Sequence, residues 1–193
     1  TDADCVTGAM RLRVPHGSPA WLLEEPFFDD VCLAFADRAP LQFAATNNSV
    51  IRSAFLRDHP EIRFEPALGL LGGEDMVFYR TASKAGLRIR FASAATIWGN
   101  EPADRATFVH QVRYRFWLGN TEFITNSYFG DSGRTRLFLR GTKRLVGAIG
   151  RPFGRLVRWQ KPQFRYSVAS IAGAIGLISG TVGLKKNHPQ DEG

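Results

Sequence analysis

Acidic side chains are absent from residues 134–186, a stretch that carries 12 of the 25 Lys and Arg residues in this 193-residue chain. Residues 1–133 hold 13 Lys and Arg against 16 Asp and Glu, so the net charge of +7 is segregated into a nearly neutral body and a wholly basic C-terminal third. That asymmetry calls for an anionic partner, either a lipid surface or a nucleic acid. Cysteine is scarce: Cys5 and Cys32 make neither a disulfide framework nor a metal knuckle, and the expectation is two reduced, buried thiols in a cytosolic protein. Internal repeats, low-complexity tracts and a basic-then-apolar leader are missing too. The sequence enters a strand-like run almost at Thr1, which reads as a fragment entered partway through a domain. What is present, 44% apolar and 22% charged residues, suffices for one core without disulfide staples.

Val6 to Val14 alternates toward its C-terminal end as a half-exposed strand does, and stops at Pro15. Residues 15–30 are punctuated by Pro15, Gly17, Pro19 and Pro26 among Trp21, Phe27 and Phe28, which suits a loop folded over a site or a neighbour. Asn47, Asn48 and Ser49 are N-cap residue types, and Val50 to Arg57 reads as the helix they cap. Glu74 to Ala85 predicts a helix closed by Gly86, Leu87 to Trp98 a strand, and Ala103 to Phe129 a long helix. Strands alternating with helices predict an α/β body over residues 1–133.

Gly72-Gly73-Glu74-Asp75 is the tetrapeptide richest in chemistry. Two glycines let a backbone approach a ligand closely, and the two carboxylates that follow open a helix. One carboxylate can face a cleft while its neighbour caps or orients; equally, both can do no more than complement the helix dipole.

The order Ala44 to Arg52, Gly72 to Arg80, Gly86 to Ile89, Trp98 to Arg105, then Arg113, Arg115 and Gly119, preceded by Ala3 to Gly8, resembles the acceptor-side, C-terminal half of family 2 glycosyltransferases of GT-A fold. The resemblance covers roughly residues 3–130. It implies transfer of a sugar, with inversion, from a nucleotide-sugar donor to a glycan or a lipid-linked acceptor, as in polysaccharide biosynthesis. It makes Asp75 the general base, with Glu74 orienting a loop or an acceptor hydroxyl, and Gly72 and Gly73 lining the substrate. Asn47 and Asn48 would hold sugar hydroxyls or serve only as caps; Arg113 and Arg115 would reach donor phosphates or lie on a solvated helix face. The family's divalent cation, Mg or Mn, is held by an Asp-x-Asp loop. Asp2-Ala-Asp4 has that spacing but fits better as the start of the following strand, so the cation and the donor-binding half are expected upstream. Glu101 stands where relatives place a His or Glu just past the strand ending at Trp98, and would bind the metal, contact Arg105 or serve only as loop structure. His110-Gln-Val-Arg-Tyr114 replaces the Gln-x-x-Arg-Trp of processive relatives, which argues against a processive polymerase.

Residues 134–193 form the second part: a basic amphipathic helix, an apolar helix and a polar tail. On a helical wheel Arg136, Arg140, Lys143, Arg144, Arg151, Arg155 and Arg158 fall within an arc of roughly 120°, opposite Phe138, Val146, Ile149, Phe153 and Trp159. Gly150 and Pro152 are candidate breaks. Ser167 to Leu184 has no charge and, as a helix, would span about 27 Å at 1.5 Å per residue, just short of a hydrocarbon core. Gly173, Gly176, Gly180 and Gly183 make one small-residue stripe. The expectation is a membrane-embedded or interfacial hairpin at the cytoplasmic face of an anionic membrane, peripheral or with one short C-terminal membrane helix. Nucleic acid is disfavoured because the aromatics lie opposite the cations rather than between them. The competing functional class is a non-catalytic basic membrane-docking module or a degenerate transferase scaffold.

Overall fold

The computed structural model describes residues 2–29, 34–130 and 132–186, which form two compact units, the first of mixed α/β structure and the second helical. The first unit comprises residues up to 13, 28–69 and 73–100. Its sheet has four strands in the order β2-β4-β1-β3, with β1 Cys5–Arg13, β2 Pro40–Leu41, β3 Ser49–Ile51 and β4 Ile89–Asn100. β1 and β4 run parallel, whereas β3 and β2 pair antiparallel on the outer sides. The parallel pair needs a crossover, and the chain between its strands includes α2 Ser53–Asp58 and α3 Glu74–Lys84. Phe78, Tyr79 and Ala82 of α3 close a core with Cys5, Ile62, Leu87 and Ile89. Burial pushes the Cys5 thiol up to about 11, as befits an inert core cysteine. Cys32 lies outside the described residues.

β4 carries a wide bulge. Gly8 pairs with Ala92 and Met10 with Ile97, so Ser93 to Thr96 loop away from the ladder. A Cβ at Gly8 would collide with the Ala95 carbonyl; glycine is required there by close approach. Val50 is not the start of a helix as expected: it lies in β3, paired with Val6, and the helix begins at Ser53 after Arg52. Asn47 and Asn48 sit in a 3-10 turn rather than at a helix cap.

The second unit comprises residues 14–27, 70–72 and those from 101 onward. The segment expected as a loop contains one short helix, α1 Trp21–Glu24. α4 Phe108–Phe129 starts five residues later than Ala103 because Thr107 caps it, accepting from His110 N at 3.3 Å, and it ends at Gly130 with φ 65°. α5 Arg134–Val157 runs unbroken through Pro152, which is buried, and α6 Phe164–Thr181 packs on both α4 and α5.

That packing corrects the expectation of a C-terminal membrane helix. Among the described residues no helix is long and apolar enough to cross a membrane. The glycine stripe of α6 instead admits α4: a Cβ at Gly176 would strike the Phe116 carbonyl, one at Gly180 the Phe123 ring, and one at Gly119 the Gly173 carbonyl. Ala169, Ala174 and Leu177 are buried. Small residues permit close helix contact in any medium that is excluded from the interface, and here a protein helix fills it. Asn120, fully buried in α4, ties down the chain after α6, donating to Leu184 O at 2.7 Å and accepting from Lys186 N at 2.9 Å.

Candidate active site

Gly72 and Gly73 have φ of 80° and 86°, left-handed values that favour glycine, and Gly73 is the N-cap of α3. Gly72 has a second reason to lack a side chain, since a Cβ would enter the Trp117 ring. The pair thus delivers Glu74 and Asp75 as the first two residues of α3. Both are half-buried. Asp75 Oδ1 accepts from the Met76 amide at 2.7 Å. Burial pushes the Asp75 carboxyl above its ordinary range, and the neighbouring Glu74 charge adds to this against the pull of the Met76 amide. A carboxylate raised in this way is a stronger base than one in water, which is the property general-base chemistry needs.

One turn along α3, Tyr79 is 2% exposed and its hydroxyl shares a hydrogen bond with Ser49 Oγ. Burial raises the Tyr79 phenol against the opposing pull of the Ser49 hydrogen bond, and the Asp75 charge adds to the rise. Tyr79 therefore joins the Asp75 face of α3 to the segment that follows Asn48. The i, i+4 spacing of Asp75 and Tyr79 was the available sequence signal for it.

Both asparagines make hydrogen bonds within the fold. Asn48 Nδ2 donates to Ala9 O at 2.9 Å and to Ala95 O at 2.8 Å, bridging β1 to the β4 bulge. Asn47 Nδ2 donates to Met10 Sδ at 2.7 Å. Of the arginines on α4, Arg113 is exposed, whereas Arg115 is 9% exposed, donates to Phe27 O at 2.6 Å and lies over the Tyr166 ring at 5.2 Å. Arg115 thus anchors the chain beside α1.

No described residues gather into a metal site: no group of three or more His, Cys, Asp or Glu occurs among them. Asp4 is engaged by Arg88 at 2.7 Å and Arg52 at 3.7 Å, and Asp2 by Arg90 at 2.8 Å, and these arginines hold both carboxyls below their ordinary range. Glu101 follows β4 directly. Burial raises its carboxyl against the opposing charge of Arg105, with a smaller push from Asp104, and among the described residues it belongs to no group of three or more His, Cys, Asp or Glu. The described residues do not by themselves make a divalent-cation site.

No family model and no solved structure matches the chain. It is 26% identical, over 96% of its length, to the succinoglycan biosynthesis protein ExoM of Rhizobium meliloti, and it spans 59% of that relative.

Proposed function

We propose that this chain is the acceptor-side portion of a polysaccharide-building glycosyltransferase, a family 2 enzyme of GT-A fold that inverts the anomeric carbon. The observation that carries the reading is the likeness to a succinoglycan biosynthesis protein along nearly the whole chain. The desolvated Asp75 at the head of α3 supports a matching mechanism. Asp75 takes the proton of an acceptor hydroxyl as its oxygen attacks the anomeric carbon, and the bond from that carbon to the donor phosphate breaks. Glu74 orients the acceptor. Gly72 and Gly73 set the backbone at the site's edge. Arg113 is the arginine open to a donor phosphate. A divalent cation would be held by residues outside these 193.

The test is transfer from nucleotide sugars by the full-length gene product, with Mg2+ or Mn2+ supplied. Asp75→Asn should lower kcat by about 10²-fold or more with little change in donor binding. Unchanged turnover removes Asp75 from the mechanism. Absence of any transfer by a folded full-length protein favours the scaffold reading. The 193 residues alone are expected to be inactive.

As a further partner we propose an anionic lipid surface. On α5 Phe138, Leu139, Val146, Ile149, Phe153 and Leu156 are all at least 44% exposed. Exposed Arg136, Lys143 and Arg158 flank them. An apolar stripe bordered by cations can lie in the plane of a headgroup layer without any helix crossing it.

A further inference from the structure

The first unit holds a groove of about 450 Å³ beside the β4 bulge, lined by Ala9, Arg11, Leu12, Phe35, Phe91 and Trp98, with Ser93 and Thr96 at the bulge itself. It is built rather than incidental. Phe35 meets Phe91 edge-on at 5.5 Å and Phe43 at 6.0 Å. Asp37 Oδ1 accepts from both Ser93 N and Ser93 Oγ at 3.0 Å, and Asn48 holds the far side of the bulge through Ala95 O.

Trp98 is 53% exposed at this groove. The guanidinium of Arg13 lies over its ring at 4.6 Å, and that of Arg11, its register partner on β1, at 5.8 Å. Both arginines are exposed, and neither has a carboxylate within ion-pair distance among the described residues. Arg90 of this sheet, and Arg88 just before β4, differ: they are neutralised by Asp2 and Asp4.

We propose that this groove binds a sugar ring bearing an acidic group, a carboxylate or a phosphate. The apolar face of a pyranose packs on the exposed part of the indole that the guanidiniums leave open, and the guanidinium pair receives the anion in a bidentate fork. Groove size and mixed lining suit one or two sugar rings. The choice of a sugar rests on the glycosyl-transfer reading; the need for a negative charge rests on the arginines alone.

The experiment is a titration of the isotope-labelled chain, followed through the Ser93 and Thr96 backbone amide resonances at the groove, with glucose, glucuronate, glucose 6-phosphate, inorganic phosphate and uridine monophosphate as probes. Glucuronate or glucose 6-phosphate should bind at least fivefold more tightly than glucose, the tighter of the two identifying the acid. Joint Arg11→Gln and Arg13→Gln replacement should bring both acids to the glucose value, Arg13→Lys should keep part of the preference, and Trp98→Ala should remove binding in a chain with an unchanged melting temperature. Equal binding of glucose and both acids overturns the proposal, as does tighter binding of phosphate alone or of the nucleotide. The titration requires no turnover. A negative result therefore leaves the transfer assay standing, and an inactive full-length protein that still selects acidic sugars sinks only the transferase reading.

Discussion

The carbonyl oxygen of Ala95 accepts a hydrogen bond from Asn48 Nδ2 at 2.8 Å, so the crest of the β4 bulge is pinned by a side chain from the turn that precedes β3. Asn48→Ala would leave two carbonyls, those of Ala9 and Ala95, without this donor. Loss of about 1–3 kcal/mol is expected, read as a lower midpoint in urea with an unchanged slope. An Asn48→Ala chain as stable as the parent would show that the clamp is not needed.

Asp75 carries a pH signature. Its carboxyl is raised above 3.8 in the fold, chiefly by burial, so the folded state holds that proton more tightly than the unfolded chain does. The stabilising contribution is complete below 3.8 and is lost as pH climbs through the raised value. Asp75→Asn cannot titrate. The melting temperature of Asp75→Asn minus that of the parent should therefore grow as pH rises out of the carboxylate range and then level off. A constant difference between pH 3.5 and 7 would mean that Asp75 is not desolvated.

The glycines of α5 and α6 should respond oppositely to alanine. Gly176→Ala forces a methyl against the Phe116 carbonyl, and a loss of about 1–3 kcal/mol is expected from overpacking. Gly147 of α5 has nothing near its missing Cβ, and Gly147→Ala should stabilise by about 0.5–1 kcal/mol through helix propensity. Thermal unfolding of the two variants decides the matter; equal and opposite signs to these would undo the packing account of α6.

The exposed stripe of α5 predicts binding to vesicles of phosphatidylserine and phosphatidylcholine that weakens at high salt without vanishing. Cations near an anionic surface contribute on the order of 1 kcal/mol each, and the apolar stripe adds a salt-resistant part. Val146→Ser with Phe153→Ser should remove much of the salt-resistant binding while leaving the melting temperature unchanged. The cations are not equivalent: Arg140 and Arg144 pair with Glu122 of α4, so replacing them should cost stability as well as binding, whereas Arg136 and Lys143 should affect binding alone. Equal affinity for neutral vesicles would remove the electrostatic step.

Local patterns were legible wherever one residue's neighbours in the chain are also its neighbours in space. The run from Val6 to Val14 appears as β1, Glu74 to Ala85 as α3 with Gly86 at φ 100° beyond its end, and Leu87 to Trp98 as β4 displaced by two residues. The charge segregation of residues 134–186 survives as the basic side of α5 for the same reason: helical periodicity is a property of the chain. Long-range partners carried no such signal. Val50 joined a strand because Val6 offered a ladder, and α4 opened at Phe108 rather than Ala103 because the Thr107 hydroxyl reaches the His110 amide. Arg115 and Asn48, which look like ligand-holding side chains in the sequence, hydrogen-bond within the fold to Phe27 O, and to Ala9 O and Ala95 O, respectively. Most telling is α6. An uncharged segment with a glycine stripe has the same composition whether lipid or another helix lies against it, and only the three-dimensional arrangement, with α4 close enough that a methyl on Gly176 would clash with its backbone, makes it a packed protein helix.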